Sequence, residues 1–144
     1  MKDWQEMSAL TLAYLGDAVY ELWVRTHLLE LGHEKVRDLH NQAVNYVCAE
    51  NQARILHALL PDLKETERQV VLRGRNTKGG YPKNVDVVTY RHATAFECLI
   101  GYWHIQGQEE RLEWAFHKVD GILAGVNAKD EFFSPDMTKT RASE

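Results

Sequence analysis

Two stretches of the chain carry an acid where an apolar side chain is expected. In YLGDAVYELW, residues 14–23, Asp17 interrupts an apolar run and Glu21 follows one helical turn on. In TAFECLIGYWH, residues 94–104, Glu97 does the same. Burying an unpaired carboxylate is costly, so such a group finds a cation or shifts its pKa. On a helical wheel advancing about 100° per residue, Ala13, Tyr20, Glu21 and Val24 fall near Asp17, while Leu12, Leu15, Val19 and Trp23 lie opposite. A helix apolar on both sides belongs in the middle of a bundle, which predicts that Asp17 faces protein rather than water. Around Glu97 lie Ala93, Thr94, Ile100, Gly101 and His104, which repeats the pattern.

If the two faces meet, Asp17, Glu97 and Glu21 converge. Converging carboxylates need a positive charge or a shared proton between them. A hard divalent cation such as Mg²⁺ meets that need, because it takes oxygen ligands, keeps several waters and requires few carboxylates. The alternatives are that Arg25 or Arg54 pairs with Asp17, or that the acids line an inert solvent cleft. Zinc is disfavoured, since the histidines show no H-x-x-x-H and the two cysteines no C-x-x-C.

The elements that must position these acids read as helices. Residues 8–31 have helical spacing, with Ser8 as cap and Gly32 as stop. Residues 34–60 predict two helices or one bent helix ended by Pro61, and a further helix runs from Leu63 to Leu72. RGRNTKGGYPKN, residues 73–84, has the glycines, proline and basic side chains of a loop. Helices over Val85–Ile105 and Glu109–Gly125 complete an all-α bundle. The expected organisation is one domain over residues 1–127 and a loosely held tail over 128–144. With no run of about 18 apolar residues, no membrane partner is expected. The N-terminus MKDWQEMSAL lacks a signal-peptide pattern, and Cys48 and Cys98 sit in helix-like segments. A reducing, cytoplasmic setting is the expectation.

The formal net charge of −4 is unevenly spread. From Arg68 to Arg91 there are six basic residues and one acid, so that strip is +5 and the remainder −9. A basic strip on an acidic body directs a polyanion to one face, although a plain solvated loop has the same composition. Its glycines do not make a nucleotide site, because G-x-x-x-x-G-K-[ST] is absent.

LGDAVYEL, residues 15–22, resembles the L-G-D-A-V core of the ribonuclease III signature. TAFECLIG, residues 94–101, is similar to that family's second motif, a glutamate followed by a small residue, an apolar pair and glycine. RGRN at 73–76 and YPKNVDVVTYR at 81–91, with no second domain, most resemble the Mini-III subgroup, in which the catalytic domain stands alone. The resemblance implies a homodimeric, Mg²⁺-dependent endonuclease that cuts double-stranded RNA to 5′-phosphomonoesters. It assigns Asp17 and Glu97 as metal ligands and catalytic residues, with Glu21 as a weaker third ligand. By the same analogy the substrate is precursor 23S ribosomal RNA of the large subunit. The chain departs from the family at three acidic positions, where it has Leu10, Ala13 and Thr94.

Under this reading Arg73, Arg75, Lys78 and Lys83 contact phosphates, and Asn76 a sugar hydroxyl or base edge. Gly74, Gly79 and Gly80 allow close backbone approach or flexing. The aromatics Trp23, Phe96, Tyr102 and Trp103 are expected in the core or a dimer interface, and His104 in a structural role. Two other functions fit the same sequence: a non-catalytic double-stranded-RNA-binding protein on this fold, and a helical protein-interaction module.

Overall fold

The computed structural model describes residues 1–125. The proposed boundary at residue 127 and the tail 128–144 lie outside the described residues. Six α-helices follow one another: α1 (Ala9–Glu30), α2 (Val36–Val47), α3 (Ala49–Leu59), α4 (Glu65–Arg75), α5 (Val87–Ile105) and α6 (Glu109–Leu123). Short 3₁₀ turns precede α1 and α4, and no strand occurs among the described residues. Local chemistry sets the ends. The Ser8 hydroxyl accepts from the Thr11 N–H at 3.0 Å, and Asp86 caps α5 by accepting from the Thr89 N–H at 3.0 Å. Gly32 ends α1 at φ 99°, where a side chain would be strained.

The central element is α5, which packs against α1, α3, α4 and α6. It buries Phe96, Leu99, Ile100 and Trp103 completely. Its tightest partner is α1, and the reason is two glycines. A Cβ on Gly16 would sit 1.8 Å from the Glu97 carbonyl oxygen, and one on Gly101 would sit 2.1 Å from the Leu12 carbonyl oxygen. Neither obstacle is a flexible side chain, so only glycine lets the two backbones touch here. This crossing fixes the register of α1 on α5.

Three expectations change at this level. First, α1 is not enclosed. It buries Leu12, Tyr20, Val24 and Leu28, while Tyr14, Leu22 and Leu29 on its outer face are exposed. Residues apolar on both sides of a helix mean either a bundle centre or a second interface, and periodicity cannot separate the two. Second, the segment read as beginning a loop at Arg73 is still helical through Arg75. Third, Gly74 does not serve backbone approach to a ligand. It is buried, and a Cβ there would lie 2.7 Å from the Ala95 Cα and 2.9 Å from the Cys98 Sγ. Gly74 lets α4 dock on α5.

A buried glutamate locks the far end. Glu67 on α4 is 2% exposed. Arg111 of α6 donates to it at 2.7 and 2.8 Å, the Trp103 indole N–H at 2.8 Å, and the Lys64 backbone N–H at 2.8 Å. Burial opposes ionisation of Glu67, but the Arg111 fork and the two N–H donors overcome it and hold the carboxyl below its usual range. The guanidinium also lies 4.3 Å from the Trp114 ring centroid, so the packed aromatics and the ion pair form one unit.

The glycine crossing makes a sharp prediction. Gly16→Ala forces the helices apart against backbone, costing about 3 kcal/mol or more, a drop in melting temperature of roughly ten degrees. Gly80→Ala, where a Cβ meets nothing within 4 Å, is the control and should leave the melting temperature unchanged. Equal melting curves for both variants would contradict the crossing.

Candidate functional site

Gly16 and Gly101 place the acids. Asp17 follows Gly16 directly, and Glu97 lies one turn before Gly101, so the crossing brings the two carboxylates side by side at the edge of the contact. Glu97 is partly buried, whereas Asp17 is exposed, contrary to the expectation that it faces protein. The exposure follows from α1 lying on the outside of α5 rather than within the bundle. Burial, the neighbouring Asp17 carboxylate and, more weakly, Glu21 push the Glu97 carboxyl up to about 8 from its ordinary 4.5.

No cation of the described residues relieves this crowding. Arg25 is taken by Glu21 at 2.8 Å, an exposed pair one helical turn apart. Arg54 donates to the Asn51 side chain at 3.2 Å and to the Ile122 carbonyl at 3.0 Å. The three ion pairs among the described residues leave Asp17 and Glu97 without a basic partner. Glu21 faces the site but shares its charge with Arg25. The positions of the missing family acids add little: Ala13 has no polar atom, Leu10 is half-exposed, and Thr94 offers a single nearly buried hydroxyl. His104 is exposed and is not among the groups acting on Glu97.

Among the described residues no group of three or more His, Cys, Asp or Glu side chains forms a ready cage for a metal ion. The arrangement instead offers two adjacent carboxyl groups, open on the Asp17 side, with Glu97 holding a proton against Asp17 below about pH 8 in the cation-free protein. That fits a hard divalent ion held by few protein ligands and completed by water or substrate oxygens, and it does not fit zinc.

The basic strip borders this site. A cleft of about 190 Å³ is lined by Leu10, Thr77, Lys78, Tyr81, Arg91 and Thr94, so the loop after α4 reaches within one helical turn of Glu97. Arg75, Asn76, Lys78 and Lys83 are all exposed. Arg73 is half-buried instead, and its guanidinium donates to the Met7 carbonyl, tying α4 to the segment before α1.

One residue at the site escaped the sequence reading. Gln52 of α3 is 3% exposed, and its amide is close enough to Glu97 to favour the ionised carboxylate. The signal was present, because Gln52 shares helical spacing with the buried Ile55, Leu56 and Leu59.

Comparison with known proteins identifies the family. Residues 10–108 match the ribonuclease III domain, which contains both acidic motifs and the loop between them. The chain belongs to the ribonuclease III family. It is similar to proteins named Mini-ribonuclease 3: that of Desulfitobacterium hafniense is 64% identical over 138 residues, covering 90% of this chain and 88% of the relative. That of Symbiobacterium thermophilum is 57% identical over 104 residues, 72% of this chain and 80% of the relative. A solved structure of a Fusobacterium nucleatum protein superposes with a TM-score of 0.77 at 31% identity, covering 83% of this chain and 98% of that one. Within the family the chain is an endoribonuclease of the Mini-III type.

The raised Glu97 pKa has a stability consequence of definite sign. Between pH 4.5 and about 8 the folded, cation-free protein keeps a proton that the unfolded chain releases. Stability therefore falls as pH rises through that window. Glu97→Gln should raise the melting temperature by several degrees at pH 9 and hardly at all at pH 5, measured by circular dichroism in EDTA. Equal gains at both pH values would contradict the crowding of Glu97.

Proposed function

We propose that the chain cleaves double-stranded RNA in a Mg²⁺-dependent reaction, leaving 5′-phosphomonoesters, and acts in the maturation of precursor 23S ribosomal RNA in the cytoplasm. The observation that carries the reading is the pairing of Asp17 with Glu97, two adjacent carboxylates that no side-chain cation compensates. When bound, a divalent ion makes a water nucleophilic towards phosphorus and stabilises the departing oxygen. The chain's own part would be to hold that ion through Asp17 and Glu97 and to align the duplex. Glu21, turned to Arg25, contributes charge at longer range, and Thr94 has only a hydroxyl to offer a water.

Duplex alignment falls to the strip beside the site. An A-form helix is read by its phosphates and 2′-hydroxyls across the shallow groove. Arg75, Lys78 and Lys83 supply exposed charge for phosphates, and Asn76 an amide for a sugar or base edge. Arg73, held by the Met7 carbonyl, supports α4 and lends only field to the RNA. No helix of the described residues is long and apolar enough to cross a membrane.

We further propose a homodimer, which gives two sites for two strands. Its support is the outer face of α1, where Tyr14 is 83% and Leu22 68% exposed. That face is continuous with an apolar groove of about 510 Å³ between α1 and α2, lined by Val24, Leu28, Leu29 and Val36. The relatives and the paired acids favour the enzyme over the RNA-binding alternative.

The deciding experiment is cleavage of a labelled RNA duplex. The wild type should cut in Mg²⁺ and not in EDTA, and Asp17→Asn should cut about a hundredfold more slowly or worse. Undiminished cutting by the variant would remove Asp17 from the site. Binding is checked separately, since each of Arg75→Ala, Lys78→Ala and Lys83→Ala should reduce the salt dependence of log Kd by about one unit of slope. An unchanged slope in all three would remove the strip from the interface.

A further inference from the structure

The cleft of about 190 Å³ beside the paired acids carries charge of one sign only. Lys78 and Arg91 line it, and no acid does. Leu10 and Thr94, two of the three positions where the chain lacks a family acid, line it as well. Those replacements remove negative charge, and the cleft holds positive charge instead. A second metal ion would be repelled there, whereas an anion is favoured.

Lys78 belongs to the loop, but Arg91 is the only lysine or arginine of α5. Arg25, Arg54, Arg68, Arg73 and Arg111 each turn the guanidinium to a carboxylate, an amide oxygen or a backbone carbonyl. Arg91 is exposed and makes no hydrogen bond or ion pair among the described residues. The nearest acid along the chain, Asp86, is occupied. Its carboxylate accepts from the Thr89 N–H at 3.0 Å and from the Thr89 hydroxyl at 3.3 Å. Arg91 precedes Thr94 by three residues and Glu97 by six. That spacing sets it about 9 Å along the axis and about 120° round the helix from Glu97.

We propose that Arg91 grips a phosphate neighbouring the one attacked, on the strand that is cut, and so fixes where that strand lies relative to Asp17 and Glu97. The offset from Glu97 puts the guanidinium at a second phosphate rather than at the reacting one. Arginine suits the task, because its planar fork donates two parallel N–H bonds to phosphate oxygens, whereas lysine offers a point charge. Seated on a helix, Arg91 keeps a fixed spacing from Glu97, which gives a site more precision than a loop side chain can. Arg75, Lys78 and Lys83 draw the duplex to this face; Arg91 sets its register there.

This inference rests on the proposed nuclease reading, and its test separates the two. Arg91→Ala and Arg91→Lys are compared with the wild type on an RNA duplex that the wild type cuts in Mg²⁺. Both variants should melt within about two degrees of the wild type, because Arg91 is exposed. Both should lower kcat/KM about tenfold or more. Wild type and Arg91→Ala then meet a series of the same duplex, each with one uncharged methylphosphonate linkage near the cut, against a phosphate control in the same 2′-O-methyl context. At one linkage the loss of charge should cost the wild type about tenfold and Arg91→Ala almost nothing, since two changes to one contact do not add. Arg91→Lys cutting within about threefold of the wild type would reduce Arg91 to a source of field and overturn the proposal. Equal losses for wild type and Arg91→Ala at every linkage would also overturn it, and together with lowered melting temperatures would make Arg91 merely structural. A wild type that cuts no duplex in Mg²⁺ would overturn the nuclease reading itself, and this inference with it.

Discussion

The structure depends on one close contact, the crossing of α1 over α5 at Gly16 and Gly101. With no side chain between them, the backbones meet, and the residues beside the glycines are carried together whatever their own preference. Asp17 and Glu97 are those residues. Neither acid would choose the other as neighbour, since like charges at close range raise the energy of the ionised pair. Dispersion and apolar burial along the rest of the contact, from Leu12 and Tyr20 against Phe96 and Leu99, force the meeting. Glycine and aspartate in L-G-D are thus two halves of one device, the first setting the approach and the second using it.

Two glutamates in this small protein show how environment assigns a role. Glu67 is the more deeply buried, yet Arg111, Trp103 and Lys64 satisfy it, and its carboxyl is held below the usual range. It joins α4, α5 and α6 and has no charge left for a ligand. Glu97 faces Asp17 instead and is pushed up to about 8. Its energy is lowered by what arrives rather than by what is built in. Under the proposed function a divalent cation and the phosphates it accompanies would supply the missing charge balance, which would couple binding and stability at this position.

Much of this was legible in the sequence. Ser8, Gly32 and Pro61 marked helix ends correctly, and Asp17 and Glu97 stood out because each broke an apolar surface. What stayed hidden depends on partners that sequence spacing does not name. The outer face of α1 read as core because the helix is apolar on both sides, and the exposure of Tyr14, Leu22 and Leu29 is settled only by what packs there. Gly74 read as loop because glycine next to arginines has the composition of one, whereas close docking on Ala95 and Cys98 calls for the same residue. Arg73 looked equivalent to Arg75, yet one turns to the Met7 carbonyl and the other to solvent. Gln52 carried a usable signal, a polar side chain in register with Ile55, Leu56 and Leu59, but polar residues in helices are usually read as surface.

The central claim is that Asp17 and Glu97 jointly hold the cation on which cleavage depends. Anomalous diffraction from crystals soaked in Mn²⁺ tests it most directly. The account predicts one strong peak between the two carboxylates, within bonding distance of an oxygen from each. An enzyme that cuts duplex in Mn²⁺ while its crystals show the metal elsewhere, with none between Asp17 and Glu97, would contradict it.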